Sequence, residues 1–324
     1  MRVVHVTSPG GPENLTIGLA RRPEPDPGEV VIRVLAAGVN RADLLQRQGF
    51  YPPPPGISDV IGLEVSGVID AVGDAVTSWS VGDECVALLA GGGYAEYVAV
   101  PAGQVIPPPE GEDLVTMAGL IEVAATVLSN FDHVHLTAGE TLLIHGGSGG
   151  IGTFAIQYAK AIGAGVIVTA GSGEKRALCR ELGADEAIDY HEDWPAAVRA
   201  ATGGRGVDVI LDVIGAKYLE ANLDTLAPDG RLVVIGLQGG RKGMLDLNKL
   251  LVKRATVTAT SLRGRPVGQK AAICAAVRDR VWPLLESGAI RPAPETRFAF
   301  EDVAAAHRHL ESGDNVGKVI LTFG

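Results

Sequence analysis

Cysteine is scarce in this sequence, with three residues among 324 and no CxxC pair. Disulfide frameworks and cysteine zinc sites need paired or clustered cysteines, so we expect Cys85, Cys179 and Cys274 to be reduced thiols of a cytoplasmic protein. Basic charge is not in excess either, since 28 Lys and Arg stand against 38 Asp and Glu, a net charge of −10. This balance disfavours nucleic acid and anionic membranes as partners.

Long apolar runs are also missing. No run approaches the roughly 20 residues that a membrane-spanning helix needs. The first residues, MRVVHV, read as a strand without the apolar core of a signal peptide, so we expect no secretory leader. A hydrophobic content of 46% and a charged content of 20% are typical of a soluble globular protein, and the length suffices for two domains.

The pattern of predicted elements changes along the chain. Residues 1–120 alternate short strands with turn signals, and strands are predicted at 30–36, 65–72, 84–89 and 95–100. Residues 121–261 alternate strands with helices, the strands falling at 142–145, 166–170, 186–189, 207–212, 231–236 and 255–260. This order predicts an α/β fold with a Rossmann doubly wound parallel sheet. Residues 262–324, with a helix at 271–286 and a strand at 318–322, are expected to return to the first domain.

A glycine-rich turn lies between the first predicted Rossmann strand and its helix, in the run TLLIHGGSGGIGTFAIQYAK. Gly147, Gly149 and Gly152 have the spacing of the dinucleotide-binding fingerprint, in which glycines allow a tight turn, a close approach of the pyrophosphate and close packing of helix on strand. The helix would then direct its first N–H groups at the phosphates. The alternative is a glycine-rich connection that binds nothing.

The end of the next strand bears on the choice of cofactor. NAD sites usually place an acid there against the ribose 2′-hydroxyl, and this chain has none. Ser172, Lys175 and Arg176 follow instead, and a hydroxyl with cations suits a 2′-phosphate. The sequence therefore favours NADPH over NADH, although the two cations are equally consistent with a solvated helix face.

Two segments carry a resemblance to the medium-chain dehydrogenase/reductase family. The spacing of Gly62, Glu64, Gly67, Gly73 and Val76 is similar to that of the family's zinc signature, whose histidine ligand is replaced here by Leu63. Residues 37–43 resemble the segment with the cysteine ligand, and that position is Asn40. The cysteine-rich lobe of the zinc alcohol dehydrogenases is absent. A catalytic zinc needs three protein ligands, so we expect no metal.

The remaining motifs resemble the zinc-free quinone oxidoreductase (zeta-crystallin-like) branch. They are similar above all to the tumour-suppressor-inducible quinone oxidoreductase subgroup, and the matching segments are 10–14, 40–53, 139–160, 169–172 and 315–318. The resemblance implies a mainly-β, GroES-like catalytic domain formed by 1–120 and 262–324, and an NADPH-binding Rossmann domain formed by 121–261.

The same resemblance implies which residues form the sites. Asn40, Asp43 and Tyr51 would line the substrate cleft as the catalytic residues. The implied cofactor-binding residues, beside the three fingerprint glycines, are Thr126 at the nicotinamide end, Gly150 and Ile151 at the pyrophosphate, Ser172, Lys175 and Tyr190 at the 2′-phosphate, and Gly236, Leu237 and Asn315 over the nicotinamide half.

Simpler structural roles stay open for several of these positions. Asn40 and Asp43 are also typical of a helix N-cap and its third residue, opening a helix over 41–48. Tyr51 is equally consistent with an exposed loop aromatic before the proline run. His133 with His135, and His307 with His309, lack the further ligands that a metal site needs. Arg263 and Arg265 follow the last Rossmann strand, where contact with substrate or phosphate is one option and a solvated loop is the default.

The implied activity is reduction of quinones by NADPH, through hydride or stepwise electron transfer without a metal. Two alternatives remain, a reductase of enones and alkenals with the same cofactor and a non-catalytic NADPH-binding protein. The partner is then a small molecule. The edge of the last Rossmann strand, 255–260, is a candidate for pairing across a two-fold axis, which predicts a homodimer.

Overall fold

The computed structural model describes all residues, 1–324. It contains fifteen strands: β1 Arg2–Val6, β2 Leu15–Leu19, β3 Glu29–Val39, β4 Glu64–Val72, β5 Glu84–Leu88, β6 Tyr97–Pro101, β7 Val105–Ile106, β8 Thr141–His145, β9 Gly165–Ala170, β10 Glu186–Asp189, β11 Val207–Asp212, β12 Leu226–Val234, β13 Thr256–Ala259, β14 Glu295–Ala299 and β15 Lys318–Thr322.

Eleven α-helices connect them: α1 Arg41–Arg47, α2 Leu114–Met117, α3 Ile121–His133, α4 Gly150–Ala161, α5 Gly173–Glu181, α6 Trp194–Ala201, α7 Leu219–Thr225, α8 Leu247–Lys253, α9 Val267–Arg280, α10 Trp282–Glu286 and α11 Val303–Ser312. None of them combines the length and the apolar character that crossing a membrane requires.

The chain folds into two compact units. The first comprises Met1–Ala125, Leu262–Gly288 and Pro292–Gly324, and the second comprises Thr126–Ser261 and Ala289–Arg291. The first unit holds a seven-stranded sheet in the order β14-β15-β3-β4-β5-β7, with β6 paired to β3. Apolar side chains of its strands form one core, in which Val30, Ile32 and Ile69 are almost fully buried.

The second unit is a six-stranded sheet in the order β10-β9-β8-β11-β12-β13, in which every pair is parallel. This is the doubly wound Rossmann order, whose reversal point lies between β8 and β11. The strands are apolar because helices cover both faces of a parallel sheet, and β11 is buried along its whole length. The predicted fold class is confirmed.

Two predicted elements differ from the structure. The helix expected over 271–286 is divided into α9 and α10, because Pro283 has no backbone N–H to continue the ladder and the chain turns at Val281. The strand expected over 231–236 is β12, which starts earlier, at Leu226, and ends at Val234. The pairing of β12 with β11 is irregular near this start, and Asp229 has a left-handed backbone conformation. The sequence pattern therefore does not indicate a strand before residue 231.

Candidate active site and cofactor site

The glycine-rich turn connects β8 to α4 in the second unit. A Cβ on Gly152 would overlap the carbonyl oxygen of Gly146, and one on Gly147 would lie 2.8 Å from the Cβ of Val168. Only glycine fits these two positions. Gly149 is different, since a Cβ there would meet nothing closer than 3.7 Å. It opens α4 without a side-chain cap, so the amide end of the helix at Gly150 and Ile151 can receive a phosphate.

The end of β9 carries the residues predicted for the 2′-phosphate. Ser172 caps α5 by accepting a hydrogen bond from the N–H of Lys175, at 3.2 Å. Tyr190 follows β10 and is 43% exposed, and its hydroxyl lies so close to Gly171 that a Cβ there would be 2.7 Å away. The Ser172 hydroxyl, the backbone N–H of Lys175 and the Tyr190 hydroxyl therefore lie at the same turn, which follows β9.

Arg176 forms an ion pair outside this group of residues. Its guanidinium is ion-paired with Asp189 and donates to the carbonyl of Gly171 at 3.2 Å. Asp189 also accepts from the N–H of His191 at 2.9 Å, and this hydrogen bond, more than the ion pair, holds the pKa of Asp189 below its usual value. The Arg176 guanidinium therefore already has an anionic partner, Asp189.

A buried polar network lies behind the glycine turn. His145, at the end of β8, is 1% exposed and lies 2.7 Å from Oδ1 of Asn222 through Nε2 and 3.1 Å from Oγ1 of Thr169 through Nδ1. Burial lowers the pKa of His145 to about 4, so the ring is neutral at pH 7. Asn222 donates in turn to Asp212, at 3.2 Å. The network connects the ends of β8, β9 and β11 beside the glycine-rich turn.

Three of the four residues implied for the nicotinamide half belong to the second unit. In the second unit, Thr126 is 8% exposed on α3, Gly236 follows β12 and Leu237 is 51% exposed. A Cβ on Gly236 would come within 2.8 Å of the carbonyl oxygen of Val213, so the backbone is close-packed there. Asn315 is half-buried in the first unit, before β15.

In the first unit, three strand ends bring Asn40, Glu64 and Lys318 together. Nδ2 of Asn40 donates to Oε1 of Glu64 at 2.9 Å, and Nζ of Lys318 donates to that same oxygen at 2.7 Å and to Oδ1 of Asn40 at 2.8 Å. Oε2 of Glu64 accepts from the N–H of Glu122 at 2.9 Å. Glu64 is fully buried and Lys318 is 7% exposed, whereas Asn40 is half-buried.

Asp43 lies at the start of α1 and is fully buried. Its Oδ2 accepts from the N–H of Asn40 at 2.8 Å, as in a capping box, and from the hydroxyl of Tyr94 at 3.1 Å. Its Oδ1 has no hydrogen-bond partner. Burial is the main cause that raises the pKa of Asp43 to about 7. The structure thus gives Asp43 the capping role and keeps its carboxylate from solvent.

Behind Asp43 the network continues to the surface. The hydroxyl of Tyr94 lies 3.2 Å from Nε2 of His307, whose Nδ1 lies 3.5 Å from Nη1 of Arg47. Arg47 is fully buried and forms two hydrogen bonds of 3.0 Å with Glu311. Burial lowers the pKa of His307 to about 3, so that the ring stays neutral beside the guanidinium. The contacts of His307 with Tyr94 and Arg47 therefore indicate a structural role.

Tyr51 is half-buried, and Arg263 holds its segment. The guanidinium of Arg263 lies 5.1 Å from the centre of the Tyr51 ring and donates to the Tyr51 carbonyl at 3.2 Å. It also donates to the carbonyl of Ala90 at 2.6 Å and to Oε1 of Gln46 at 2.7 Å. Arg263 is 5% exposed, so the expected solvated loop is wrong at this residue.

Sequence reasoning missed two buried cations, Lys318 and Arg263. A lysine that opens the apolar run KVILT was a usable signal, because a charged residue directly before a buried strand calls for a partner. No comparable signal marks Arg263, which lies in a polar segment with Arg265. Both cations contact predicted catalytic residues, Asn40 and Tyr51.

The chain matches two family models. The first is described as "Alcohol dehydrogenase GroES-like domain" and covers residues 26–110. The second is described as "Zinc-binding dehydrogenase" and covers residues 150–276. No group of three or more His, Cys, Asp or Glu side chains is arranged to hold a metal ion. The donors around Asn40 do not fit zinc, because Leu63 cannot coordinate and Glu64 and Asn40 already bind the ammonium of Lys318.

Relatives match along almost the whole chain. A quinone oxidoreductase of Pseudomonas aeruginosa is 35% identical over 96% of both chains, and a 2-haloacrylate reductase of Burkholderia sp is 30% identical over 96% of both. Among solved structures, Escherichia coli quinone oxidoreductase complexed with NADPH superimposes with a TM-score of 0.91 at 28% identity, over 99% of this chain and 100% of that one. A mycobacterial protein complexed with NADPH gives 0.89 at 34% identity, over 99% and 100%. The chain belongs to the medium-chain dehydrogenase/reductase family and is an oxidoreductase similar throughout to its quinone oxidoreductases.

Proposed function

We propose that this oxidoreductase reduces quinones with NADPH and uses no catalytic metal. The observation that carries the proposal is in the first unit, where Asn40 contacts the buried Lys318, Tyr51 contacts the buried Arg263, and the surrounding side chains do not form a metal donor set. A quinone is electron-poor and accepts reducing equivalents without a Lewis acid. Hydrogen-bond donors that stabilise charge on its oxygens are sufficient.

The second unit would hold the pyrophosphate and the 2′-phosphate of NADPH. The turn of Gly147, Gly149 and Gly152 and the amide end of α4 at Gly150 and Ile151 bind the pyrophosphate. Ser172, Lys175 and Tyr190 would bind the 2′-phosphate, and Thr126, Gly236 and Leu237 of this unit are our candidates for the nicotinamide half. Asn315, in the first unit, is a further candidate from the family resemblance. When bound, NADPH supplies the reducing equivalents, as a hydride or as single electrons.

Asn40 and Tyr51 contact the acceptor. The amide of Asn40 and the hydroxyl of Tyr51 donate hydrogen bonds to acceptor oxygens, where negative charge grows as electrons arrive. Asp43 has a different task, because its buried carboxylate reaches the site only through the backbone N–H of Asn40. We assign it the positioning of Asn40 at the start of α1.

A second candidate is the reduction of activated carbon–carbon double bonds. It draws support from the similarity to the 2-haloacrylate reductase, and the same donors would serve the carbonyl oxygen of an enone.

A panel of acceptors separates these functions. Ortho-quinones, para-quinones, enones and aldehydes are assayed with NADPH and with NADH, with and without a chelator. The proposal expects the highest kcat/KM with a quinone and NADPH, unchanged by chelation. Faster turnover of enones would support the second candidate, and activity lost with a stoichiometric metal would overturn the metal-free site.

We also place the protein in the cytoplasm as a homodimer. Cys85, Cys179 and Cys274 are unpaired and buried, which suits a reducing compartment. The dimer rests on β13, an edge strand of the six-stranded sheet, and on α8, whose Leu247 and Leu251 are 69% and 76% exposed. A sedimentation measurement that gives a monomer at micromolar concentration would refute the dimer.

A further inference from the structure

The pair of Lys318 and Glu64 is built into the first unit by its backbone register. Lys318 opens β15 beside Asn40, because β15 pairs with β3 so that Val319 lies opposite Val39. Glu64 opens β4 on the other side of β3. Residues from three separate parts of the chain thus meet at one end of the sheet.

Two glycines make room for the buried charges. A Cβ on Gly38 would overlap Oε1 of Glu64 and lie 2.7 Å from the carbonyl oxygen of Ala118. A Cβ on Gly119 would lie 3.2 Å from Cε of Lys318. The ion pair therefore has space only because residue 38 is glycine. At Gly119 the backbone packs closely against the aliphatic part of the Lys318 side chain.

The two charges determine which way the amide of Asn40 faces. Its oxygen accepts from the ammonium at 2.8 Å and its nitrogen donates to the carboxylate at 2.9 Å. The opposite orientation would place N–H groups against the ammonium and the oxygen against the carboxylate, which is repulsive on both sides. One N–H of Asn40 then remains for a ligand, while its oxygen is occupied.

We infer that Lys318 is a positioning residue that fixes the Asn40 amide as a hydrogen-bond donor, so that the site selects acceptors presenting an oxygen lone pair. The inference rests on the proposed function. Lys318 and Glu64 are buried and act on the acceptor only through the half-buried Asn40. Quinone and enone carbonyls satisfy this requirement, and acceptors without an oxygen or nitrogen lone pair do not.

The test is a double-mutant cycle on the acceptor kinetics. Lys318→Met, Asn40→Ala and the combination are compared for kcat and KM with one para-quinone, together with the dissociation constant of NADPH and the Tm. We expect Lys318→Met to lower kcat/KM about tenfold or more, the scale of a charge-assisted hydrogen bond, with NADPH affinity unchanged. In the Asn40→Ala background the same change should have no further effect, because the two residues act as one unit.

Further variants keep the result interpretable. The Lys318→Met variant leaves the Glu64 carboxylate buried without its cation, which can unfold the protein. If it does, the double variant Lys318→Met with Glu64→Gln replaces it in the cycle. Lys318→Arg retains a cation and should recover most of the lost kcat/KM. Lys160→Met, which removes a surface ion pair with Asp185, is the matched control and should behave as wild type.

Failure of the inference is distinct from failure of the function. If the wild-type chain does not reduce quinones, the proposed function fails. If it does, and a folded Lys318 variant keeps wild-type kcat/KM, the positioning role is wrong. Additive losses in the cycle, or equal losses in NADPH affinity, would make the ion pair a purely structural element.

Discussion

The proposed nucleotide site and the proposed acceptor site are constructed differently. The nucleotide turn consists of neighbouring residues, Gly146 to Gly152, and offers mainly backbone groups. The acceptor site depends on side chains that are far apart in the chain, such as Asn40 and Lys318, which are 278 positions apart. A site made of neighbouring backbone groups is disrupted by a substitution that changes the shape of the turn. A site made of distant side chains is disrupted when one partner of an ion pair is removed.

The largest expected effect breaks the backbone site. Gly152→Ala places a Cβ 2.6 Å from the carbonyl carbon of Gly147, a contact that only movement of the turn can relieve. We expect a loss of at least about 3 kcal/mol in stability, or a folded protein without measurable NADPH affinity. Gly268→Ala in α9 is the matched control, since nothing lies within 4 Å of its Cβ and alanine favours helix. Thermal unfolding and NADPH titration measure both variants, and a Gly152 variant equal to the control would contradict the close packing.

The contrast also explains what the sequence could predict. The bounds predicted for the Rossmann strands β10 and β11 agree with the structure to the residue, because the turn signals around both strands and the apolar run of β11 are local information. The glycine fingerprint is local too. Lys318 and Arg263 could not be assigned to Asn40 and Tyr51, because their partners are set by the sheet register and by loop packing.

Asp43 illustrates the same limit. Asn40 and Asp43 fit both a helix cap and a pair of cleft residues, and the sequence does not say which side of α1 faces the core. The structure buries Asp43 completely against Tyr94. Burial of a carboxylate is a property of tertiary packing, so no local pattern could have indicated it.

The next effect tests a side chain within the nucleotide site. Lys175→Ala should weaken NADPH about tenfold to hundredfold and leave NADH almost unchanged, because only NADPH carries the 2′-phosphate. Arg176→Ala is the matched control, and its ion pair with Asp189 predicts a smaller discrimination between the cofactors. The dissociation constants of NADPH and NADH for both variants test this prediction. An equal loss of NADPH and NADH in the Lys175 variant would mean that the lysine supports the fold.

A smaller effect is expected from the buried cation of the acceptor site. Arg263→Met keeps much of the apolar stem but removes the hydrogen bonds to Ala90, Gln46 and the Tyr51 carbonyl. The Tyr51 segment should then lose its fixed position, and kcat/KM for the quinone should fall about tenfold while NADPH affinity is retained. Arg254→Met, which removes an exposed pair with Asp229, serves as the control. Loss of NADPH affinity in the Arg263 variant would argue against a role confined to the acceptor.

The carboxylates of the two sites should respond to pH in opposite directions. The folded pKa of Asp43 is raised to about 7, so its contribution to stability is complete below pH 4 and is lost as pH rises through 7. The pKa of Asp189 is lowered, so its contribution is present above pH 4 and is lost in more acidic solution. Relative to Asp43→Asn, the wild-type Tm should therefore fall by a few degrees, roughly, between pH 4 and 8.

His307 titrates in the opposite sense within part of this range, with a folded pKa lowered to about 3. Both proteins contain it, so the difference between their Tm profiles isolates Asp43. Profiles that stay parallel from pH 4 to 8 would show that the Asp43 carboxyl is not perturbed by its burial.

The most direct test of the account is the acceptor kinetics of Asn40→Ala and Tyr51→Phe. If these side chains donate hydrogen bonds to a quinone oxygen, both variants should lower kcat and kcat/KM with several quinones, the pattern of a lost transition-state interaction, while the dissociation constant of NADPH stays constant. An effect on KM alone would make Tyr51 a binding wall. Wild-type kinetics in both variants would contradict the account, because the acceptor would then have to bind elsewhere.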